Sequence, residues 1–265
     1  MRKYKGLKSV LSSGVFFLIL SFVIACSPKK SFHLIESKKL EKRFMSYNIF
    51  IGKGMDEVID LRRAAAVINS VKPDVVGLQE IDSIAERSGW VDQAKALGRM
   101  TKMHYVFGPA TPRSKGLYGI TVLSKEKPLS YQNVALPGQE EPRTFLIVEF
   151  KDYIFCNAHW SLVADSRRQS IPVIEEALKG FNKPIFMVGD FNSLPENDDM
   201  LKMKEKWQVL SNPSLKTMPS NKPIWTLDYI LARKAPGRLY EVLKAEVIND
   251  TLTSDHLPIY VDVKF

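Results

Sequence analysis

Acidic, amide and imidazole side chains recur in this chain where apolar runs end. Asn48 follows F-M-S-Y, and Gln79-Glu80 closes D-V-V-G-L. Asn157 and His159 sit near the end of Y-I-F-C-N-A-H-W, and Asp190 and Asn192 follow P-I-F-M-V-G. Asp228 lies inside W-T-L-D-Y-I-L, and Asp255-His256 precedes L-P-I-Y-V. Such groups are costly to bury without a purpose. Gathered at one mouth, carboxylates and imidazoles could exchange protons with a substrate while amides orient it. Each residue alone also has a plain reading. Asp190 and Asn192 could shape a turn, His159 could be a satisfied core histidine, Asp255 a turn residue and Glu80 a surface charge. The two cysteines, Cys26 and Cys156, exclude a disulfide framework or a cysteine zinc site.

The elements that must position these groups alternate between strand and helix patterns. Strands are expected at Arg43–Ile51, Asp74–Gln79, His104–Gly108, Tyr118–Ser124, Leu129–Leu136, Arg143–Phe150 and Tyr153–Trp160. Further strands follow at Pro184–Gly189, Trp225–Ala232, Tyr240–Asn249 and Leu257–Phe265. A helix capped by Asp56 should run to about Val71, its apolar stripe formed by Val58, Leu61, Ala65, Ile68 and Val71, with Pro73 stopping it. Others are expected near Val91–Thr101, Asp165–Lys179 and Asn197–Lys206; Pro172 predicts a kink or late start in the third. Ser211–Pro223 reads as a loop, and with Gly108–Gly116 should rim the cleft. The mixture of hairpin and crossover spacings predicts an α/β fold with two packed sheets flanked by helices.

Seven stretches, in order, resemble the endonuclease/exonuclease/phosphatase superfamily, the DNase I-like phosphoesterases. They are M-S-Y-N (45–48), D-V-V-G-L-Q-E (74–80), Y-G-I-T-V-L-S (118–124), N-A-H-W (157–160), G-D-F-N-S-L-P (189–195), L-D-Y-I-L (227–231) and S-D-H-L-P (254–258). The resemblance implies a four-layered α/β sandwich with two mixed sheets. It implies Glu80, Asn48 and Asp255 around a divalent metal, Mg²⁺ with Mn²⁺ or Ca²⁺ as alternatives, since oxygen ligands suit hard cations. By the same resemblance Asp190 deprotonates the attacking water and Asn192 orients it. His256 donates to a phosphoryl oxygen, Asp228 orients His256, and His159 is a general acid or phosphate ligand. Tyr118, Arg143 and Asn157 would contact substrate. In-line attack on phosphorus builds negative charge that a dication and a histidinium stabilise.

Departures from the family's branches narrow the choice. N-A-H-W stands where abasic-site endonucleases carry a tyrosine-containing stretch. N-S-L and L-D-Y replace the patterns of inositol-polyphosphate 5-phosphatases. Cys156, alternating with apolar neighbours, reads as a small buried hydrophobe. The resemblance therefore implies a metal-dependent phosphoric ester hydrolase acting on a small phosphodiester or phosphomonoester or on a lipid head group. A nuclease acting on DNA or RNA and a non-catalytic lipoprotein on the same fold are the alternatives, because fold does not choose among substrates.

Charge and the N-terminus bear on location. The chain carries 38 Lys+Arg against 29 Asp+Glu, a formal +9, yet residues 1–25 and 26–43 each contribute +4 and residues 44–265 only +1. A long basic nucleic-acid groove usually shows a larger excess. A basic start, Arg2 to Lys8, precedes the apolar run Val15–Ala25, which has the length of a signal-peptide core. V-I-A-C-S then resembles a bacterial lipobox, implying cleavage before Cys26 and its acylation. The expected domains are a signal peptide at 1–25, an acylated cysteine and basic tether at 26–43, and the hydrolase body at 44–265. The expected place is the bacterial cell envelope outside the cytoplasm, lipid-anchored, with the outer membrane favoured by Ser27, and the expected state is a monomer.

Overall fold

The computed structural model describes residues 39–265. The expected signal peptide, the acylated Cys26 and most of the tether lie outside the described residues. Described elements run in chain order β1 (Glu41–Asn48), α1 (Leu61–Val71), β2 (Val75–Ser83), α2 (Gln93–Thr101), β3 (His104–Arg113) and β4 (Gly116–Ser124). Then come β5 (Ser130–Leu136), β6 (Arg143–Glu149), β7 (Ile154–His159), α3 (Ala164–Ala177), β8 (Ile185–Asp190) and α4 (Asp198–Lys206). Four strands complete the chain: β9 (Trp207–Val209), β10 (Asp228–Arg233), β11 (Glu241–Val247) and β12 (Ile259–Lys264).

The strands make two mixed six-stranded sheets, ordered β11-β12-β1-β2-β4-β3 and β5-β6-β7-β8-β10-β9. Their facing sides share one core, in which Phe44 lies within 4.6 Å of Phe186 and 5.3 Å of Phe155, ring centre to ring centre. A second core packs α1 and α2 on the outer face of the first sheet through Leu61, Ala65, Ile68 and Leu97. A third packs α3 and α4 on the outer face of the second through Ile174, Met200 and Met203. The result is the expected four-layered α/β sandwich. Both sheets and all three cores fall within 39–265, which forms one compact unit and so is a folding unit in its own right. Among the described residues no helix is long and apolar enough to cross a membrane.

Several local expectations change. β1 begins at Glu41, so Glu41–Arg43, assigned to the tether, are strand residues paired with β12. The cap of α1 is Asp60, whose carboxylate accepts the Arg62 N–H. Asp56 instead pairs with Arg63 at 2.8 Å and accepts the Val58 N–H. Helix α3 starts at Ala164 and continues past Pro172, which is exposed and needs no N–H partner on the core side. β3 extends through Arg113, so Gly108–Gly116 is largely strand and only Ser114-Lys115 turn left-handed. Residues 211–223 run as a loop, and three-residue β9, too short to show a period, was not expected.

Direction matters most for function. β1 is parallel to β2 and β7 is parallel to β8. Asn48, Gln79, His159 and Asp190 therefore emerge together at one end of the sandwich. The chain enters the body at Lys39–Glu41, at the opposite end.

Candidate active site

Asn48, the last residue of β1, is fully buried. Its amide nitrogen donates to Glu80 Oε1 at 3.0 Å and to Asp190 Oδ2 at 3.1 Å, joining the two sheets. Its amide oxygen accepts the Phe50 N–H at 3.0 Å. Asn48 thus presents N–H groups to the site and clamps carboxylates; it was expected as a metal ligand, and its oxygen is turned away.

Glu80 reaches this position through a bulge. The β2–β4 register shifts between Leu78 and Ile81, and Glu80 adopts φ 57°. A left-handed residue inside a strand re-aims its side chain, at a cost of the order of 1 kcal/mol or more. Burial, with Asp255 and Asp190 nearby, raises the Glu80 pKa against the Asn48 hydrogen bond. Asp255, half-buried and likewise raised by burial, has its Oδ1 3.3 Å from Ser254 Oγ. Ser254 is fixed by donating to the Asn48 carbonyl at 2.7 Å. The expected rim loop does pack here, since Ser220 Oγ donates to the Ser254 carbonyl.

Asp190 ends β8 and is almost wholly buried. The Asn192 N–H donates to its Oδ1 at 2.9 Å, and Asn192, itself left-handed at φ 46°, donates its side-chain amide to the Trp160 carbonyl. Burial raises the Asp190 pKa although His256 and Asn48 oppose it. Asp228 pairs with Asp190 across β10 and β8 and holds His256 Nδ1 at 2.9 Å. His256 Nε2 lies 3.6 Å from Asp190 Oδ2. Burial alone would lower His256, but Asp228 and Asp190 outweigh it and push its pKa up to about 10. The imidazole is cationic at neutral pH, with Nδ1–H on Asp228 and Nε2–H facing the site.

His159 is fixed differently. Its Nε2 lies 3.1 Å from Arg143 Nη1 and 3.5 Å from Asp190 Oδ2. Arginine only donates, so Nε2 is the acceptor. Burial, reinforced by Arg143, lowers the His159 pKa well below the usual imidazole range. Arg143 in turn rests on Glu140 at 3.0 Å. Glu140 also accepts from Ser161 Oγ and the Leu162 N–H, tying the β5–β6 connection to the start of α3. Sequence reasoning missed Glu140, Ser161 and Ser254. The last stood inside a quoted motif; the Glu140 link spans separate connections that no local pattern joins.

Tyr118 lies at the same end, buried, with the Arg87 and Arg113 guanidinium groups over its ring at 5.3 and 5.7 Å. It borders a narrow slot shared with Arg143 and His159. Asn157, expected to touch substrate, is fully buried below the site. It accepts from Gln79 and donates to the Leu78 and Thr121 carbonyls, all within the interior, so its amide glues the sheets together below the site.

The donor set fits a hard dication. Four carboxylates, Glu80, Asp190, Asp228 and Asp255, converge with one histidinium, and Asp228 Oδ1 is buried without a partner. Asp190, Asp228 and His256 offer atoms within 4.8 Å of one another, but both ring nitrogens of His256 already face carboxylates. Glu80, Asp255 and Asp228 each keep one carboxylate oxygen to spare, and those of Glu80 and Asp255 belong to the less enclosed side chains.

Residues 45–256 match the profile of the Endonuclease/Exonuclease/phosphatase family. The chain belongs to that family. Solved structures agree on its fold. An endonuclease/exonuclease/phosphatase family protein from Bacteroides thetaiotaomicron superposes with a TM-score of 0.69 at 18% identity, covering 86% of this chain and 99% of its own. A mannosyl-6-phosphatase from Bacteroides thetaiotaomicron VPI-5482 gives 0.67 at 18% identity, covering 84% and 100%. The human Nocturnin catalytic domain, solved with bound sulfate, gives 0.61 at 17% identity, covering 84% and 94%. No curated protein matches the chain. The two packed sheets described above are the fold these structures share with the chain.

Proposed function

We propose that this family member is a hydrolase of small phosphoesters, held at the envelope by an acylated Cys26. One observation carries the chemistry: His256, held by Asp228, and Asp190, held by Asn48 and Asn192, confront each other 3.6 Å apart at the mouth where Glu80 and Asp255 stand. A divalent ion on Glu80 and Asp255, when bound, would supply Lewis-acid stabilisation of phosphoryl charge. Asp190 takes the proton of the attacking water as its oxygen bonds to phosphorus and the opposite P–O bond breaks, the leaving alkoxide taking a proton from solvent; the raised pKa makes Asp190 a better base than a free aspartate. Asn192 fixes the base's other oxygen and limits its rotation. His256 donates its Nε2–H to a non-bridging oxygen, and Asp228 keeps both the tautomer and the charge. Arg143 and Tyr118 stand at the same end of the sandwich, where they would border the phosphate or its substituent, with His159 orienting Arg143.

The small net charge of the body supports a small substrate over a polymer. The phosphatase among the similar structures supports a monoester. The test is a panel of sugar phosphates, a phosphomonoester chromogen, a phosphodiester chromogen and plasmid DNA, each with Mg²⁺, Mn²⁺ or chelator. Release of phosphate, lost in His256→Ala and with chelator, is expected. Cleavage of DNA with every small ester untouched would overturn the reading in favour of a nuclease. Inactivity on the whole panel, with no divalent-ion binding by calorimetry, would favour a non-catalytic lipoprotein.

A further inference from the structure

The end of the sandwich opposite the site has an unequal charge. It is built by the chain entry at 39–42, the connections 72–74, 102–103, 125–129, 150–153, 178–184 and 234–240, and Phe265. These stretches hold eleven lysines and arginines against four acids, while the rest of residues 39–265 holds twenty against twenty-four. The near-neutral body is therefore polarised, with its excess cations at the pole where the chain enters. Lys72, Lys102, Lys127 and Lys151 there are exposed and make no ion pair among the described residues.

Apolar groups accompany this charge. Leu129 and Tyr131 are each 64% exposed and Leu239 is 81% exposed. A groove of about 500 Å³ opens between the edges of the two sheets, lined by Met103, Tyr105, Lys127, Leu129 and Tyr131. Leu239 stands at the other side of the same pole, on the β10–β11 connection. Lysines interspersed with protruding aliphatic and tyrosine side chains match the interface of an anionic bilayer, which attracts the cations and accepts the apolar tips.

We propose that this pole docks on an anionic lipid surface. Two independent features select that occupant: the sign of the charge, and the position of the chain entry. The thirteen residues from Cys26 to Lys38 span at most about 45 Å, so an acylated Cys26 would hold this pole near lipid. Docking there turns the Asp190–His256 mouth away from the bilayer. The substrate then arrives from the aqueous side, as a soluble phosphoester and not a head group of the anchoring membrane. This last consequence and the argument from the chain entry rest on the proposed function; the charge and apolar groups of the pole do not.

The test is co-sedimentation of residues 39–265, a folding unit without the anchor, with vesicles. Mixed phosphatidylglycerol/phosphatidylcholine vesicles should bind the protein at low salt and pure phosphatidylcholine should not. Each lysine near such a surface contributes about 1 kcal/mol, or roughly five-fold in affinity. Reversing Lys72, Lys102, Lys127 and Lys151 to Glu together should weaken binding at least about 100-fold, with an unchanged melting curve. A control reversing Lys95, Lys115, Lys216 and Lys222, which lie off the pole, should stay within about five-fold of wild type. Failure of wild type to bind anionic vesicles, or an equal loss in the control, would overturn the proposal. Binding of single-stranded RNA through the same four lysines in preference to vesicles would overturn it too. Phosphate release is read separately, so failure here leaves the phosphoesterase reading standing.

Discussion

Replacing Glu140 by Gln isolates one charge in the network behind the site. In the folded protein burial raises the Glu140 carboxyl, but hydrogen bonds from Ser161, the Leu162 N–H and Arg143 outweigh it and hold its pKa at about 2, against 4.5 for the free group. A depressed folded pKa stabilises the protein above the unfolded pKa. That contribution is lost as pH falls from about 5 toward 2. The full shift corresponds to roughly 3 kcal/mol, but Glu140 lies at the surface, and solvent screening reduces this to about 1 kcal/mol. Glutamine keeps the shape and the carbonyl acceptor while removing the charge. Glu140→Gln should therefore lower stability by about 1 kcal/mol at pH 6–7. The deficit should shrink steadily below pH 5. Urea unfolding of both proteins between pH 3.5 and 7 measures it. A deficit of constant size across that range would refute the reasoning, because lost shape or hydrogen bonding would then be the cause. Equal stability at pH 7 would show that Ser161 and Arg143 need no anion between them.

Other perturbations address the scaffold and the ion. Gly77→Ala would bring a Cβ to 2.3 Å from Val188 Cγ2 and 2.9 Å from Asn157, both on the facing sheet. Overpacking of this kind should cost about 1–3 kcal/mol, and an unchanged thermal midpoint would show that the sheets can part freely. Asn157→Ala leaves the Leu78 and Thr121 carbonyls and the Gln79 amide without their partner. It should cost about 2–3 kcal/mol in stability with little change in KM. A raised KM with full stability would instead restore Asn157 to the substrate site. Divalent ions should raise the melting temperature, since they relieve repulsion among Glu80, Asp190 and Asp255 and bind only the folded state. Glu80→Gln should abolish most of that rise while itself melting no lower than wild type without metal. A thermal shift by Mg²⁺ or Mn²⁺ that survives Glu80→Gln would place the ion elsewhere.

The framework was legible because buried strands announce themselves. P-I-F-M-V-G and D-V-V-G-L are short apolar runs with turn residues at both ends, and both are β-strands with buried interiors. The convergence of Asn48, Glu80, Asp190, Asp228 and His256 was legible for a related reason, since Asn48 and Asp190 end strands, Asp228 opens one, Glu80 follows the apolar run of β2 and His256 shortly precedes β12. What the sequence could not show is which atom faces the site. Asn48 has one amide with two ends, and the Phe50 N–H behind it, with the Glu80 and Asp190 carboxylates in front, decides that nitrogen points forward. Asn157 lies two residues before His159 on β7, yet its amide is spent between the sheets. Helix ends were similarly ambiguous. Asp56 and Asp60 both suit an N-cap, and the choice fell to Asp60 because Asp56 is drawn off by Arg63.

Charge crowding and backbone strain coincide at one end of the molecule, and the rest of the fold holds them there. Glu80 and Asn192 occupy left-handed backbone, and three of the clustered carboxylates are pushed up in pKa by their own burial. Left alone, these groups would relax by rotating into water or by neutralising. Rotation is blocked because their strands are each anchored in the inter-sheet core, where Phe44, Phe155 and Phe186 interlock. Neutralisation is resisted because Asn48 and the Asn192 N–H donate only to carboxylate oxygens, and because His256 brings a positive charge to Asp190. The core thus supplies rigidity to a cluster that is unstable by itself. A dication would remove the remaining repulsion without moving any strand, so the arrangement that destabilises the free protein suits the ion that the proposed function calls for.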